Sequence, residues 1–436
     1  MEEIIWGCPC GKIKGQMLKD AFFFRGIGYA VTNRFESPRL IRNWEGVYDA
    51  TVREIDCFQK NSFIEETESF YGKEFRSGHE FSYDESPMTL NIISPGNEKK
   101  YPVLLFFHGG GFESGTVGEL PYGSCTGYAK RDVVFVSAGY RLNVFGLYGG
   151  ENYMLADQIA AVDWVRENIA SFGGDPDNIT LIGQSAGAMS VMDLLCSGKL
   201  KGKITHAIMM SGAGVVPGVV APVLKEKTIE FWKKVEAYAG GDAKNASPKE
   251  LWEAWIKARK EAKLLDKLKF TQPCLDGNIL KKSHKESIQA GDILDIPLMI
   301  GITSQDMLPI FIYKMALNLG LSLSKLEHAP VYAYLFDRTL PGNSYRAFHA
   351  SDLWYMFGNM EQSWRPFEQT DYDLNNEMMD EVATFCKTGK PANEVWKPIS
   401  HKQKGFRHFD GEDKGLASPA FCKKKMRQAL FSPGPM

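Results

Sequence analysis

No uninterrupted apolar stretch in this chain approaches the ~20 residues that a membrane-spanning helix needs, so no transmembrane segment is expected. An excess of either charge is missing too: 51 Lys and Arg against 53 Asp and Glu leave a formal net charge of −2. A broad basic surface for nucleic acid is therefore not expected. The short run Lys423-Lys424-Lys425 reads as a solvated tail. Cysteine is sparse, with 8 residues scattered over 436, which is no disulfide framework. Cys8-Pro9-Cys10 lacks a second Cys or His pair at ligand spacing, so no metal site is expected. The opening "MEEIIWGCPC" has two acids where a secretion signal carries basic residues, and no long apolar run follows. These features point to reduced thiols and a cytoplasmic location. Repeats and low-complexity tracts are absent. What is present is an ordinary globular balance, 44% hydrophobic and 24% charged.

Apolar runs of strand length alternate with helical stretches. Tyr101–Gly109, Asp132–Tyr140, Asn178–Gly183, Ile204–Gly212, Ile296–Thr303 and Pro330–Phe336 read as strands covered on both faces. Between them, Met154–Gly173 and Ser185–Gly198 read as helices that stop at glycine. This rhythm implies an α/β fold, a mostly parallel central sheet flanked by helices. Two regions depart from it. Short pieces in the first ~90 residues ("AFFFRGIGY", "MTLNIIS") suit antiparallel additions at one sheet edge. Residues 217–269 are charged and Trp-bearing, with no strand expected, and Ser247-Pro248-Lys249-Glu250 opens one helix as a capping box. This segment reads as a helical insertion over the sheet within a single domain spanning 1–436.

Within that frame, "TLIGQSAGAMSV" places Ser185 between two glycines, behind a strand and ahead of a helix. A G-x-S-x-G pattern alone recurs by chance, but the strand–turn–helix setting is what a nucleophile elbow requires. Gly183 and Gly187 lack a Cβ and allow the close backbone approach that so sharp a turn imposes. The turn also sets the positive end of the following helix beneath the serine.

Upstream, "FFHGGGFESG" follows another strand. Three consecutive glycines are entropically costly and make sense where backbone N–H groups must face a ligand. Gly110 and Gly111, with Ala186 after the serine, are the expected donors to an oxyanion. A phosphate-binding loop would need Gly-Lys-Ser/Thr, which is absent. A serine nucleophile needs a base, and the base an orienting acid. His206 lies in an apolar strand; His284 and His401 lie in lysine-rich stretches and read as solvated. His349 falls on a loop after the last clear strand, before what reads as an amphipathic helix, and is the expected base. Asp306 follows the strand Ile296–Thr303 at the end where parallel sheets gather their chemistry. Asp295 sits at the wrong end, and Asp276 and Asp292 are weaker candidates.

Together, "FRGIGYA", "WEGVYDAT", "HGGGFESG", "YRLNVFG", "ADQIAAVDWVRENIASFGGDPDNITLIGQSAGAMS", "GITSQDM" and "FHASDLWYMFG" resemble, in order, the blocks of the type-B carboxylesterase/lipase family, the cholinesterase-like branch of the α/β-hydrolases. The resemblance covers most of the chain. It implies an α/β-hydrolase fold and a serine carboxylesterase in which Ser185 is the nucleophile, Asp306 the acid and His349 the base. It matches Gly110, Gly111 and Ala186 to the family's oxyanion donors. Hydrolysis of small-molecule carboxylic esters through an acyl-enzyme is expected, needing neither metal nor cofactor. Amidase, thioesterase or lactonase chemistry on the same triad is the alternative within enzymes, and a non-catalytic binding protein the alternative outside them. Many relatives carry Glu at the position of Asp306, and cholinesterases place an acid where Gln184 stands. Cys57-Phe58-Gln59 matches one half of the family's early disulfide, but the other half falls at about Pro87. The stretch between Ser185 and Asp306 is shorter than in many relatives, which predicts a more open pocket. Phe112, Met307, Leu308 and Trp354 flank these segments and are candidate pocket-lining residues for short-chain or aryl esters.

Overall fold

The computed structural model describes residues 2–18, 20–60, 69–212, 222–263, 266, 268–412 and 415–429. The apolar runs become the strands of one large twisted sheet: β1 (Glu3–Cys8), β2 (Gly11–Leu18), β3 (Ala21–Gly28), β4 (Thr89–Ser94), β5 (Tyr101–Phe107), β6 (Val134–Ala138), β7 (Gly174–Gln184), β8 (His206–Met210), β9 (Leu298–Thr303), β10 (Val331–Phe336), β11 (Phe406–Phe409) and β12 (Leu416–Ala417). Their order is β1-β2-β3-β4-β6-β5-β7-β8-β9-β10-β11-β12. From β6 to β11 every pairing is parallel. β1 to β4 add antiparallel strands at one edge and β12 caps the other.

The central strands β4, β5, β6, β8, β9 and β10 are largely apolar because each buries both faces. Val103, Leu105 and Phe107 of β5 point into one core, Leu104 and Phe106 into the other. Each such side chain contributes roughly 1.5–3 kcal/mol when fully buried. The first core is covered by α2 (Tyr153–Asn168), α3 (Ala186–Cys196) and α7 (Pro309–Lys325); α8 (Leu353–Phe357) and α9 (Gln369–Thr388) cover the second. Other helices include α1 (Phe70–Phe75), α4 (Ile229–Tyr238), α5 (Pro248–Glu261), α6 (His284–Ala290) and α10 (Pro419–Ala429). α2 runs into a 3₁₀ turn that ends where Gly173 adopts φ 80°, a conformation glycine reaches without strain.

Strand order reverses at β5. The chain leaves β5 to form β6 on one side, then returns to form β7 on the other. Ligands of open parallel sheets bind in the crevice such a reversal opens at the C-terminal strand ends. The segments after β5 and β7 are the glycine loop and the serine turn.

Four features differ from the sequence expectations. β11 and β12 are short and separated from β10 by about 70 residues, so no periodicity marks them. α8 is buried along its whole length rather than amphipathic. The segment 217–269 does contain the helices α4 and α5, the latter with its capping box at Ser247 and Glu250, but it also carries a two-residue strand, Val223–Leu224, paired with Cys274–Leu275. Residues 217–221, 264, 265 and 267 of that segment lie outside the described residues. His284, expected to be solvated, is buried at the start of α6, with Nε2 2.6 Å from Oδ1 of Asp193. Its neighbouring lysines face solvent while the ring turns inward, which residue type alone does not reveal.

Candidate active site

β7 ends at Gln184 and α3 begins at Ala186, which leaves Ser185 alone to reverse the chain. Its φ of 54° and ψ of −119° are strained for a residue with a side chain. The Ser185 N–H donates to the Met210 carbonyl at 2.8 Å, and the Met189 N–H donates to the Ser185 carbonyl at 3.0 Å. The flanking glycines are obligatory on steric grounds. A Cβ on Gly183 would lie 2.3 Å from the Gly187 carbonyl oxygen, and one on Gly187 would lie 2.1 Å from that of Phe107. The strand preceding the glycine loop is thus pressed against the elbow.

That loop crosses the serine directly. A Cβ on Gly109 would sit 3.1 Å from Cβ of Ser185. Gly110 and Gly111 have φ of 106° and 66°. Among the described residues neither the Gly110 nor the Gly111 amide donates a hydrogen bond. The carbonyl of Gly110 does accept, from the Glu113 N–H at 3.0 Å and the Ser114 N–H at 3.1 Å. The loop is fixed from three sides. Gln59 donates Nε2 to the Gly115 carbonyl and accepts from its N–H, both at 3.1 Å. Tyr140 Oη donates to the His108 carbonyl at 2.7 Å. Arg259 on α5 grips Glu113 with both terminal nitrogens, at 2.6 and 2.8 Å.

Asp306 follows β9 and His349 follows β10, and a small staple joins the two loops. The Gln305 N–H donates to the Ala347 carbonyl at 2.8 Å, and the Arg346 N–H donates to Gln305 Oε1 at 2.9 Å. With the loops so held, His349 Nδ1 donates to Asp306 Oδ1 at 2.7 Å. Asp306 also accepts from the Met307 N–H at 2.8 Å and from Thr303 Oγ1 at 3.1 Å. Burial alone would raise the Asp306 carboxyl, but the charge and hydrogen bond of His349 outweigh it and hold the pKa below the ordinary value. Burial alone would lower His349; Asp306 outweighs that and holds the imidazole above its ordinary value.

The far nitrogen, Nε2, accepts from the Gln184 amide nitrogen at 3.3 Å. Among the described residues the Ser185 hydroxyl makes no hydrogen bond. Serine and histidine instead face each other across one cavity of about 330 Å³, lined also by Gly109, Gly110, Gly111, Gln184 and Met307. A larger hollow of about 640 Å³ lies at the other end of α3, between Leu194 and Asp295, and contains none of these groups.

Of the four expected pocket residues only Met307 lines the cavity, and it is largely exposed at 73%. Phe112 is buried, turned into the core beneath the loop by a φ of 62°. Leu308 is exposed just before α7 and does not line the cavity. Trp354 is fully buried, with Nε1 donating to Glu74 Oε1 at 2.8 Å. Proximity in sequence to His349 does not bring Trp354 to the cavity, because α8 turns its indole toward Glu74. Sequence reasoning also missed the wall supplied by α1, where Tyr71, Phe75 and Arg76 line the cavity. Six residues are too few for helical periodicity to show. The one available signal was Ser69, whose hydroxyl caps the helix by accepting from the Gly72 N–H at 3.0 Å.

A family model described as the carboxylesterase family matches residues 3–326 and 311–429. The chain is 28% identical to the para-nitrobenzyl esterase of Bacillus subtilis over 472 aligned positions, covering 90% of this chain and 92% of that one. It is 30% identical to gut esterase 1 of Caenorhabditis elegans over 334 positions, 73% of this chain but 56% of that one. It thus spans nearly the whole bacterial relative and about half the length of the nematode one. Among solved structures, a PNB esterase superposes with a TM-score of 0.82 at 26% identity, over 97% of this chain and 99% of that one. A carboxylesterase of Geobacillus stearothermophilus gives 0.79 at 26% identity, over 98% and 99%. With sheet order, serine elbow and nearly full-length matches in agreement, the chain belongs to the carboxylesterase family, hydrolases of carboxylic esters built on the α/β-hydrolase fold.

Proposed function

We propose that Ser185 attacks the ester carbonyl, with His349 as general base and Asp306 as the acid that orients it. Asp306 fixes the imidazole with its proton on Nδ1, which leaves Nε2 as the proton acceptor. On substrate binding, Nε2 exchanges the Gln184 amide for the Ser185 hydroxyl; catalytic hydrogen bonds commonly tighten only in the complex. As Oγ bonds to the carbonyl carbon, its proton moves to Nε2, and the carbonyl oxygen becomes an oxyanion. The N–H groups of Gly110, Gly111 and Ala186 receive it. His349 then protonates the departing alcohol, and water repeats the sequence to release the acid.

The observation that carries this reading is the meeting, in one cavity, of a strained serine, a histidine already paired to a carboxylate, and two amides with no donor role elsewhere. The cavity volume of about 330 Å³ is at the lower end for ligand pockets and favours short-chain or aryl esters. Residues 217–269 are read as a helical insertion within one domain, placed to brace the glycine loop through Arg259 and Glu113. The eight cysteines are all unpaired thiols, which supports a cytoplasmic setting. Among the described residues no helix is long and apolar enough to cross a membrane. The test is Ser185→Ala measured on a 4-nitrophenyl ester. Turnover is expected to fall by about 10⁶ if the three side chains act as a unit; near-normal hydrolysis would overturn the assignment.

A further inference from the structure

Besides its catalytic groups, the cavity carries an ion pair that the mechanism does not use. Arg76, at the C-terminal end of α1, and Glu119, beyond the glycine loop, both line it, alongside the aromatic side chains of Phe75, Phe106 and Tyr122. Arg76 Nε donates to Glu119 Oε1 at 2.7 Å, and the two side chains are only 17% and 9% exposed. We infer that this pair is a polar subsite that selects esters bearing a hydroxyl group, in the acid or the alcohol part, over their deoxy counterparts. The inference rests on the reading of Ser185 as nucleophile in the same cavity.

Two observations argue against a purely structural pair. The end of α1 is already tied to this segment by the Leu120 N–H donating to the Phe75 carbonyl at 2.8 Å. In addition, a mostly desolvated ion pair seldom improves stability over apolar side chains of the same size. Ligand sites, by contrast, are typically apolar with a few placed polar groups that fix orientation. The chemistry of the pair then narrows the ligand. Guanidinium N–H groups donate and carboxylate oxygens accept, so the pair offers both functions side by side. Its charges cancel, which leaves little net attraction for an anion, and Glu119 repels a substrate carboxylate. An alkyl or unsubstituted aryl end makes no hydrogen bond to either polar group. A hydroxyl donates and accepts at once and answers both. The small cavity places that hydroxyl within a few bonds of the ester.

The experiment compares kcat/KM within two matched series. One holds 4-nitrophenyl esters of n-alkanoic, ω-hydroxyalkanoic and dicarboxylic acids of ~3–6 carbons. The other holds alkyl and hydroxyalkyl esters of one short acid. The expected result is a preference of about tenfold or more for the hydroxylated member of at least one series. In the double variant R76M/E119L the ratio is expected to fall to about 1. Should the double variant not fold, Glu119→Gln serves: it keeps a hydrogen-bonding oxygen but removes the repulsion, so the hydroxyl preference remains and discrimination against the dicarboxylic half-ester collapses. Equal rates within both series, a preference for the carboxylate, or a hydroxyl preference that survives in the folded double variant would each overturn the subsite. Flat ratios with hydrolysis still dependent on Ser185 remove the subsite alone; hydrolysis that persists in Ser185→Ala removes the reading of the site beneath it.

Discussion

Asp306 Oδ1 accepts a 2.7 Å hydrogen bond from the Nδ1 of His349, a residue 43 positions further along the chain. The bond does more than hold a ring. It selects the tautomer with Nε2 unprotonated, and it raises the cost of removing the imidazolium proton once one has been taken up. Both consequences can be measured.

Activity is expected to fall in acid with a midpoint above the ordinary histidine value of about 6.5. Burial opposes the charged ring, but Asp306 outweighs it, so His349 binds its proton at higher pH than a free imidazole. Protonation removes the base, so the active form lies on the alkaline side. The buried carboxyl of Asp352, pushed up to about 7 by burial, ionises in the same range and, once charged, raises His349 further. Replacing Asp306 with Asn removes the raising charge and favours the wrong tautomer, with an expected loss of about 10⁴ in kcat. A profile of kcat/KM flat down to pH ~4 would contradict His349 as the base.

The two central loop glycines are expected to behave differently. A Cβ on Gly110 would lie 2.0 Å from the Ser114 carbonyl oxygen, so Gly110→Ala must displace the loop. Loss of about 10²–10³ in kcat is expected, the usual cost of a lost oxyanion donor. A Cβ on Gly111 meets nothing within 4 Å. There alanine bears only the strain of a positive φ, about 1–2 kcal/mol, and most activity is expected to remain. Equal losses in the two variants would contradict this account of the loop.

The wall of the cavity has its own anchor. Glu74 on α1 accepts from Arg365 at 2.7 and 3.0 Å and from Nε1 of Trp354 and Trp364 at 2.8 and 3.1 Å. Both charged side chains are fully buried. Glu74→Leu strands the guanidinium without its counter-charge, and a loss of about 3–5 kcal/mol is expected in denaturant unfolding. A change under ~0.5 kcal/mol, the range of ordinary surface substitutions, would show that the pair is not the anchor of α1.

How much of this was legible in the sequence follows from the kind of signal each part leaves. The central strands are continuous apolar runs because both faces are covered, and the helices between them keep their period, so the α/β layering could be read. Ser185 and the glycine loop declare themselves through residues that local geometry demands. Asp306 and His349, the proposed acid and base, could be located because each follows a readable strand at its C-terminal end, where parallel sheets gather their chemistry. Where position was set by packing alone, the sequence was silent. Trp354 and His284 each lie beside residues of the expected character, yet their side chains turn the other way, toward Glu74 and Asp193. Arg76 and Glu119 are ordinary charges in sequence, and only the fold brings them together.

The most direct test of the central claim is covalent. Incubation of the protein with a fluorophosphonate, followed by peptide mapping by mass spectrometry, is expected to place one phosphonyl group on Ser185 and to abolish ester hydrolysis in parallel. The Asp306→Asn variant is expected to label far more slowly. Labelling at another residue, or full hydrolysis after Ser185 has been modified stoichiometrically, would contradict the account.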